Sequence, residues 1–148
     1  MTVNTPIYTG FWLRFLAFIV DSLVVTPIVI AVAIGLYQHS GDWFSMLLAS
    51  AKNPWLNYGV PAAFTLIFWL IKSATPGKML LGAVIVDAIT LQKPARWQLV
   101  VRYLGYYLSA LPLFLGFIWI ALDPKKQGWH DKLARTLVIQ AENKENAP

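Results

Sequence analysis

The chain has no cysteine, only two histidines, and seven acidic residues against twelve lysines and arginines in 148 positions. Without cysteine there are no disulfides, no thiolate metal sites and no thiol catalysis. Charge of either sign is scarce, at 13% of residues against a soluble norm of about 25%. What is abundant is apolar: 57% hydrophobic residues, seven tryptophans and a mean hydropathy of +0.56. A small integral membrane protein of one domain follows, residues 1–140, with a polar tail from 141 to 148 expected to be disordered. The net charge of +5 does not indicate nucleic acid, because the basic residues flank apolar runs, where topology and anionic lipid place them.

Three apolar runs organise the chain. The first, Phe11 to Leu36, has 26 residues, or ~39 Å of helix, against hydrocarbon about 30 Å thick. The residues before it carry no Lys or Arg, so this helix is expected to act as signal and anchor together. The second, Trp55 to Ile71, has 17 residues and suffices if upright. Trp43 to Ala51 ahead of it reads as a short interfacial helix, stopped at Asn53-Pro54. The third, Leu99 to Leu122, has spanning length but is interrupted by Ser109, Pro112 and Gly116. The expected fold is therefore an all-α membrane protein with two firm transmembrane helices. Its third run is a re-entrant hairpin or a third span.

Charge distribution favours the hairpin. The Tyr37–Pro54 connection holds one basic residue, Lys52, whereas the insert from Lys72 to Trp97 holds Lys72, Lys78, Lys93 and Arg96. The tail adds Lys125, Lys126, Lys132, Arg135 and Lys144. The positive-inside rule puts insert and tail both in the cytoplasm, which one straight span between them forbids. The turn of such a hairpin must be shielded by protein. Val84–Asp87, followed by an extended piece at 89–92, gives the insert a hairpin-like character. Val84–Asp87 and Leu137–Gln140 are both strand-like and too short to stand alone. If insert and tail share a side, they can pair in a small cytoplasmic cap.

Two ionisable residues interrupt the first run. Arg14 can snorkel to the headgroups. Asp21, about ten residues in, cannot, and a charge near mid-membrane costs about 2.5–3.5 kcal/mol on insertion scales. Asp21 must be neutral, paired or facing water. It is either a proton or cation site or a bond between helices. Seven positions separate it from Arg14, ~10 Å along the axis, too far for a direct bond. Pro27 should kink the helix and free the Leu23 carbonyl. In the third run Arg102, Tyr103, Tyr106, Tyr107 and Ser109 fall within an arc of roughly 160°. This stripe either faces Asp21, with Arg102 as counter-charge, or forms an interfacial aromatic belt. Trp129-His130-Asp131-Lys132 is too sparse for a metal site or an acid–base pair. Gly77-Lys78 lacks the other elements of a phosphate loop, so Lys78 reads as a turn or headgroup contact.

Taken together these stretches resemble the RDD family of small membrane proteins. The opening signature is matched by Gly10–Asp21, with Arg14 and Asp21. Thr75-Pro76-Gly77-Lys78 followed by Gly82–Asp87 is similar to its central element, and His130–Val138 to its closing motif. The resemblance implies that Asp131 is the second signature aspartate, with Asp123 the other candidate. It also implies a multi-pass protein of the bacterial inner membrane, in a family for some of whose members transport, including cation/proton exchange, has been suggested.

The functional expectation is thus transport-related: Asp21 exchanges a proton for, or shares a site with, a small cation, Arg14 sets the local field, Asp131 gates or braces the cytoplasmic mouth, and Arg102, Tyr106 and Asp123 are in support. The alternative is a non-transporting scaffold or accessory subunit. Either implies contact with membrane lipids and with a second copy or a partner membrane protein. No enzyme activity, cofactor, metal or nucleic-acid partner is expected.

Overall fold

A computed structural model describes residues 6–39 and 41–141; the tail from 142 onward lies outside the described residues. Helix α1 runs unbroken from Phe11 to Tyr37, through Pro27. It buries Arg14, Ala17 and Ala33 and exposes an apolar face that includes Trp12, Phe18, Leu23 and Ile30. An apolar face of that extent suits lipid. After α1 come α2 (Trp43–Ala51) and α3 (Trp55–Lys72), the latter opening with a π turn over Trp55–Gly59. The insert forms α4 (Pro76–Leu80) and β1 (Ala83–Asp87). Then follow α5 (Arg96–Ala110), α6 (Leu115–Leu122), α7 (Trp129–Ala134) and β2 (Thr136–Gln140).

The protein is mostly helical, and among the described residues α1 alone is long and apolar enough to cross a membrane. The pairs α2–α3 and α5–α6 reach that length only together, bent by 69° and 102°. The first break falls at Asn53-Pro54, where Asn53 Oδ1 accepts the Trp55 amide and caps the incoming helix. The second occupies 111–114, where Leu113 and Phe114 take left-handed conformations between Ser109 and Gly116. Both the short α2 and the interrupted third run stand as the sequence suggested.

The cap is built on a strand pair. β1 and β2 are antiparallel, with Val84 opposite Ile139 and Val86 opposite Leu137. The chain just before α1 joins the other edge of β2: Tyr8 bridges Ile139, and the Thr9 amide donates to the Val138 carbonyl at 2.9 Å. The N-terminal segment, the insert and the C-terminal strand therefore lie side by side. One expectation fails here. The 89–92 piece is not a strand, because Asp87 Oδ1 accepts the Ile89 and Thr90 amides and folds those residues into a turn. The partner of β1 comes from the far end of the chain.

Under the sheet, Trp69, Ala83, Ile85, Leu99 and Val138 form a buried cluster flanked by Tyr103 and Tyr106. Two glycines set the close approaches around it. A Cβ on Gly105 would lie 2.9 Å from His130 Cα, so α7 seats directly on the α5 backbone. A Cβ on Gly77 would lie 2.2 Å from the Ala17 carbonyl oxygen, so α4 rides on the α1 backbone. Backbone cannot yield as a side chain can. We expect Gly77→Ala to separate α4 from α1 and to cost about 1–3 kcal/mol, read as a lowered thermal midpoint in detergent, while Gly35→Ala, which meets nothing within 4 Å, leaves it in place.

Candidate functional site

Asp131 is the centre of the cap, fully buried. It occupies the third position of α7, where its Oδ2 accepts the Gly128 amide at 3.1 Å, a favourable place for an anion near a helix start. Arg14 reaches Oδ2 from α1, 117 positions away in sequence. Arg102 reaches Oδ1 from α5. Both arginines are buried as well. Arg14 is held further by Nε donating to the Thr9 carbonyl (2.9 Å) and Nη2 to that of Lys126 (2.6 Å). Arg102 Nη1 also donates to Thr136 Oγ1 at 2.8 Å. One carboxylate thus ties α1, α5 and α7, and through Thr9 and Thr136 the N-terminal segment and the central strand β2.

Burial opposes the charge on Asp131, but the Arg102 and Arg14 guanidiniums overcome it and hold the carboxyl well below its usual range. His130 beside it is pushed down to about 3 by burial, against the attraction of Asp131. Its Nδ1 meets Ser109 Oγ at 3.1 Å, and its ring stands edge-on to Tyr106, 4.5 Å between centroids. Ser109, His130 and Asp131 line up in the order of a hydrolytic triad. Yet Ser109 is fully buried, and its oxygen accepts the His130 amide at 3.2 Å. A Cβ on Gly116 would sit 2.8 Å from that oxygen, so an acyl group has no way in. The trio is a helix-to-helix clamp.

Asp21 lies two turns beyond Arg14 and faces a different partner. Thr75 Oγ1 donates to its Oδ2 at 2.5 Å, and the Gly77 amide donates to its Oδ1 at 2.7 Å. The carboxylate therefore caps the start of α4 and pins the insert to α1. Arg102 does not meet it: the expected counter-charge belongs to Asp131, because the Arg102–Tyr106–Ser109 side of α5 packs on α7 and Trp69. Tyr107, on the same helix, is exposed. Asp123 stands apart, buried, with Lys132 Nζ at 2.5 Å and the Lys125 and Gln127 amides at 3.1 Å each.

Lys78 overturns a second expectation. It is not a headgroup contact but 7% exposed, its Nζ 5.2 Å from the centroid of the Trp69 ring; burial pushes its pKa down. Gln98 was also missed. It is buried, and its Nε2 donates to Asp87 Oδ2 (2.7 Å) and the Arg135 carbonyl (3.1 Å), stitching insert to tail. A Gln three residues after the helix start is a capping signal, and its Oε1 does accept the Ala95 amide. Among the described residues no three His, Cys, Asp or Glu side chains group as metal ligands.

A helical membrane protein whose cap is joined by one aspartate and two arginines defines the class. A family model described as "RDD family" matches residues 8–135, and the chain belongs to the RDD family. It is 38% identical over 105 residues to "Uncharacterized protein RP437" of Rickettsia prowazekii, covering 71% of this chain and 58% of that protein. The chain thus spans less than two thirds of that relative's length. "Uncharacterized protein YxaI" of Bacillus subtilis is 29% identical, over 88% of this chain and 95% of its own. "Uncharacterized membrane protein YteJ" of the same organism is 28% identical, over 91% and 82%. No solved structure matches the chain.

Two outcomes follow. Asp131→Asn leaves two buried guanidiniums short of an anion and should cost about 3–5 kcal/mol. Asp123→Asn, whose lysine partner is partly in water, should cost about 1 kcal/mol; comparative thermal melts read both. The second concerns pH. His130 binds a proton near 6.5 when unfolded and only near 3 when folded, so protons favour the unfolded chain. Stability should fall as pH drops below 6.5, by about 1.4 kcal/mol per unit. His130→Asn should flatten the melt-versus-pH curve between pH 6.5 and 4.5.

Proposed function

We propose that the protein is a non-transporting membrane scaffold or accessory subunit of the bacterial inner membrane. The observation that carries this reading is that the signature charges are spent on one another and on the backbone. Arg14 and Arg102 share Asp131, and both oxygens of Asp21 accept from Thr75 and Gly77. A working carboxylate needs a free oxygen and a route to it; here the oxygens fix the insert to the first helix. Three sequence-distant segments are thereby held in a rigid cap, below which α1 offers a long apolar face to lipid and to a partner membrane protein or second copy.

In this reading α1 and α3 cross the membrane and α5–α6 enter and leave from the cap side. The pairing of β1 with β2, at either end of the α5–α6 pair, supports that arrangement, and the basic insert and tail make the cap cytoplasmic. The transport-related reading, with a proton or small cation exchanged at Asp21, has one observation in its favour. Asp21 is only part-buried, and its donors sit on a five-residue helix.

Proteoliposomes separate the two. The scaffold reading expects no collapse of a pH gradient on adding Na⁺ or K⁺ to wild-type protein, and a lowered melting point as the main consequence of Asp21→Asn. A cation-dependent pH response that disappears in Asp21→Asn protein of normal folded yield would overturn it in favour of exchange.

A further inference from the structure

The interior of the cap holds more positive charge than negative. Arg14, Arg102 and Lys78 are 9%, 1% and 7% exposed, and Asp131 is the carboxylate between them. The other acids nearby are occupied, Asp123 by Lys132 and Asp21 by Thr75 and Gly77. Lys78 is the cation left over. Its ammonium forms none of the ion pairs among the described residues; it lies against the Trp69 ring, near the Tyr106 hydroxyl. Arg102 approaches the same ring, with Cζ 5.3 Å from the centroid.

Two more donors at this corner are buried and lack an acceptor: Arg102 Nε and Trp69 Nε1. Lys78 and Arg102 thus share one indole ring; the Tyr106 hydroxyl lies beside both, yet Arg102 Nε and Trp69 Nε1 still find no acceptor. The two faces of an indole attract cations, whereas its N–H edge is electropositive, so the ring places cations and an unfilled donor at one locus. Loss of the lysine proton would relieve Lys78. It would satisfy neither Arg102 Nε nor Trp69 Nε1, and it would still leave two guanidiniums on one aspartate. A negative ion relieves all three.

We propose that the Trp69–Lys78–Arg102 corner binds one small inorganic anion of halide size, which serves as the missing counter-charge of the cap. Trp69 is fully buried and Lys78 and Arg102 nearly so, an enclosure that favours a compact anion over a headgroup that stays at the membrane surface. The anion would neutralise the lysine and complete what Asp131 begins. This does not depend on the scaffold reading, since a transporter would need the same charge balance.

The test uses wild-type protein in neutral detergent. Replacing sodium gluconate by sodium chloride at constant ionic strength should raise the melting point saturably by about 2–4 °C. Bromide should act likewise, and crystals grown in bromide should show an anomalous peak touching Lys78 Nζ, Arg102 Nε and Trp69 Nε1. Lys78→Met should lose both effects. No halide-specific rise in wild type would overturn the proposal, as would bromide bound only elsewhere. An equal rise in Lys78→Met would do the same, marking a general salt effect. If Lys78→Met does not fold, the two wild-type measurements decide alone.

Discussion

A carboxylate removed from water and shared by two guanidiniums is unstable unless every lone pair and charge around it is met, and the cap is arranged around that requirement. Asp131 is met by Arg14, Arg102 and the Gly128 amide. Arg14 also donates to the Thr9 carbonyl on the segment beside β2, and Arg102 to Thr136 Oγ1 in β2 itself. Such an arrangement contributes little net stability compared with an apolar core of the same shape, because two or three desolvated ions are costly. What it contributes is specificity. Asp131 joins the first turn of α1, at Arg14, to the middle of α5, at Arg102, and so sets the register in which N-terminus, insert and tail assemble.

Asp21 repeats the same logic closer to the lipid with weaker means. Its two donors are neutral, and both come from the Thr75-Pro76-Gly77 turn. Proline cannot donate and glycine can approach closely, so this turn offers one hydroxyl and one amide to a carboxylate on the neighbouring helix. The Gly77 backbone lies on the Ala17 carbonyl because nothing larger fits. Together the two aspartates make α1 the common wall of the cap and of the apolar region, with polar contacts on one side and lipid-suited side chains on the other.

Much of the architecture was legible in the residues. The apolar runs and the break at 111–114 follow from composition and from Ser109, Pro112 and Gly116. The pairing of Val84–Asp87 with Leu137–Gln140 follows from charge topology plus two strands too short to survive alone. The site was only half legible. Arg14 and Asp21 announce themselves by lying in an apolar run. Asp131, in an ordinary polar stretch, was singled out by resemblance to a family motif rather than by spacing, because its partners are distant in sequence. For the same reason the Arg102 stripe reads either as a face toward Asp21 or as an interfacial belt, whereas Arg102 meets Asp131: a helical stripe shows which residues share a face, not what covers it. Lys78 was misread because a lysine after a Pro-Gly turn ordinarily faces water, and nothing local shows that Trp69 and Arg102 close over it.

The central claim is that Arg14, Arg102 and Asp131 act as one unit, and a thermodynamic cycle measures that directly. Unfolding free energies of Asp131→Leu, of Arg14→Met with Arg102→Met, and of the combined triple variant should be strongly non-additive. The triple should lie several kcal/mol above the sum of its parts, because neither a guanidinium nor the carboxylate is left without its partner. Additive losses would show three independent surface-like contacts, and the account of the cap as built around one shared carboxylate would be wrong.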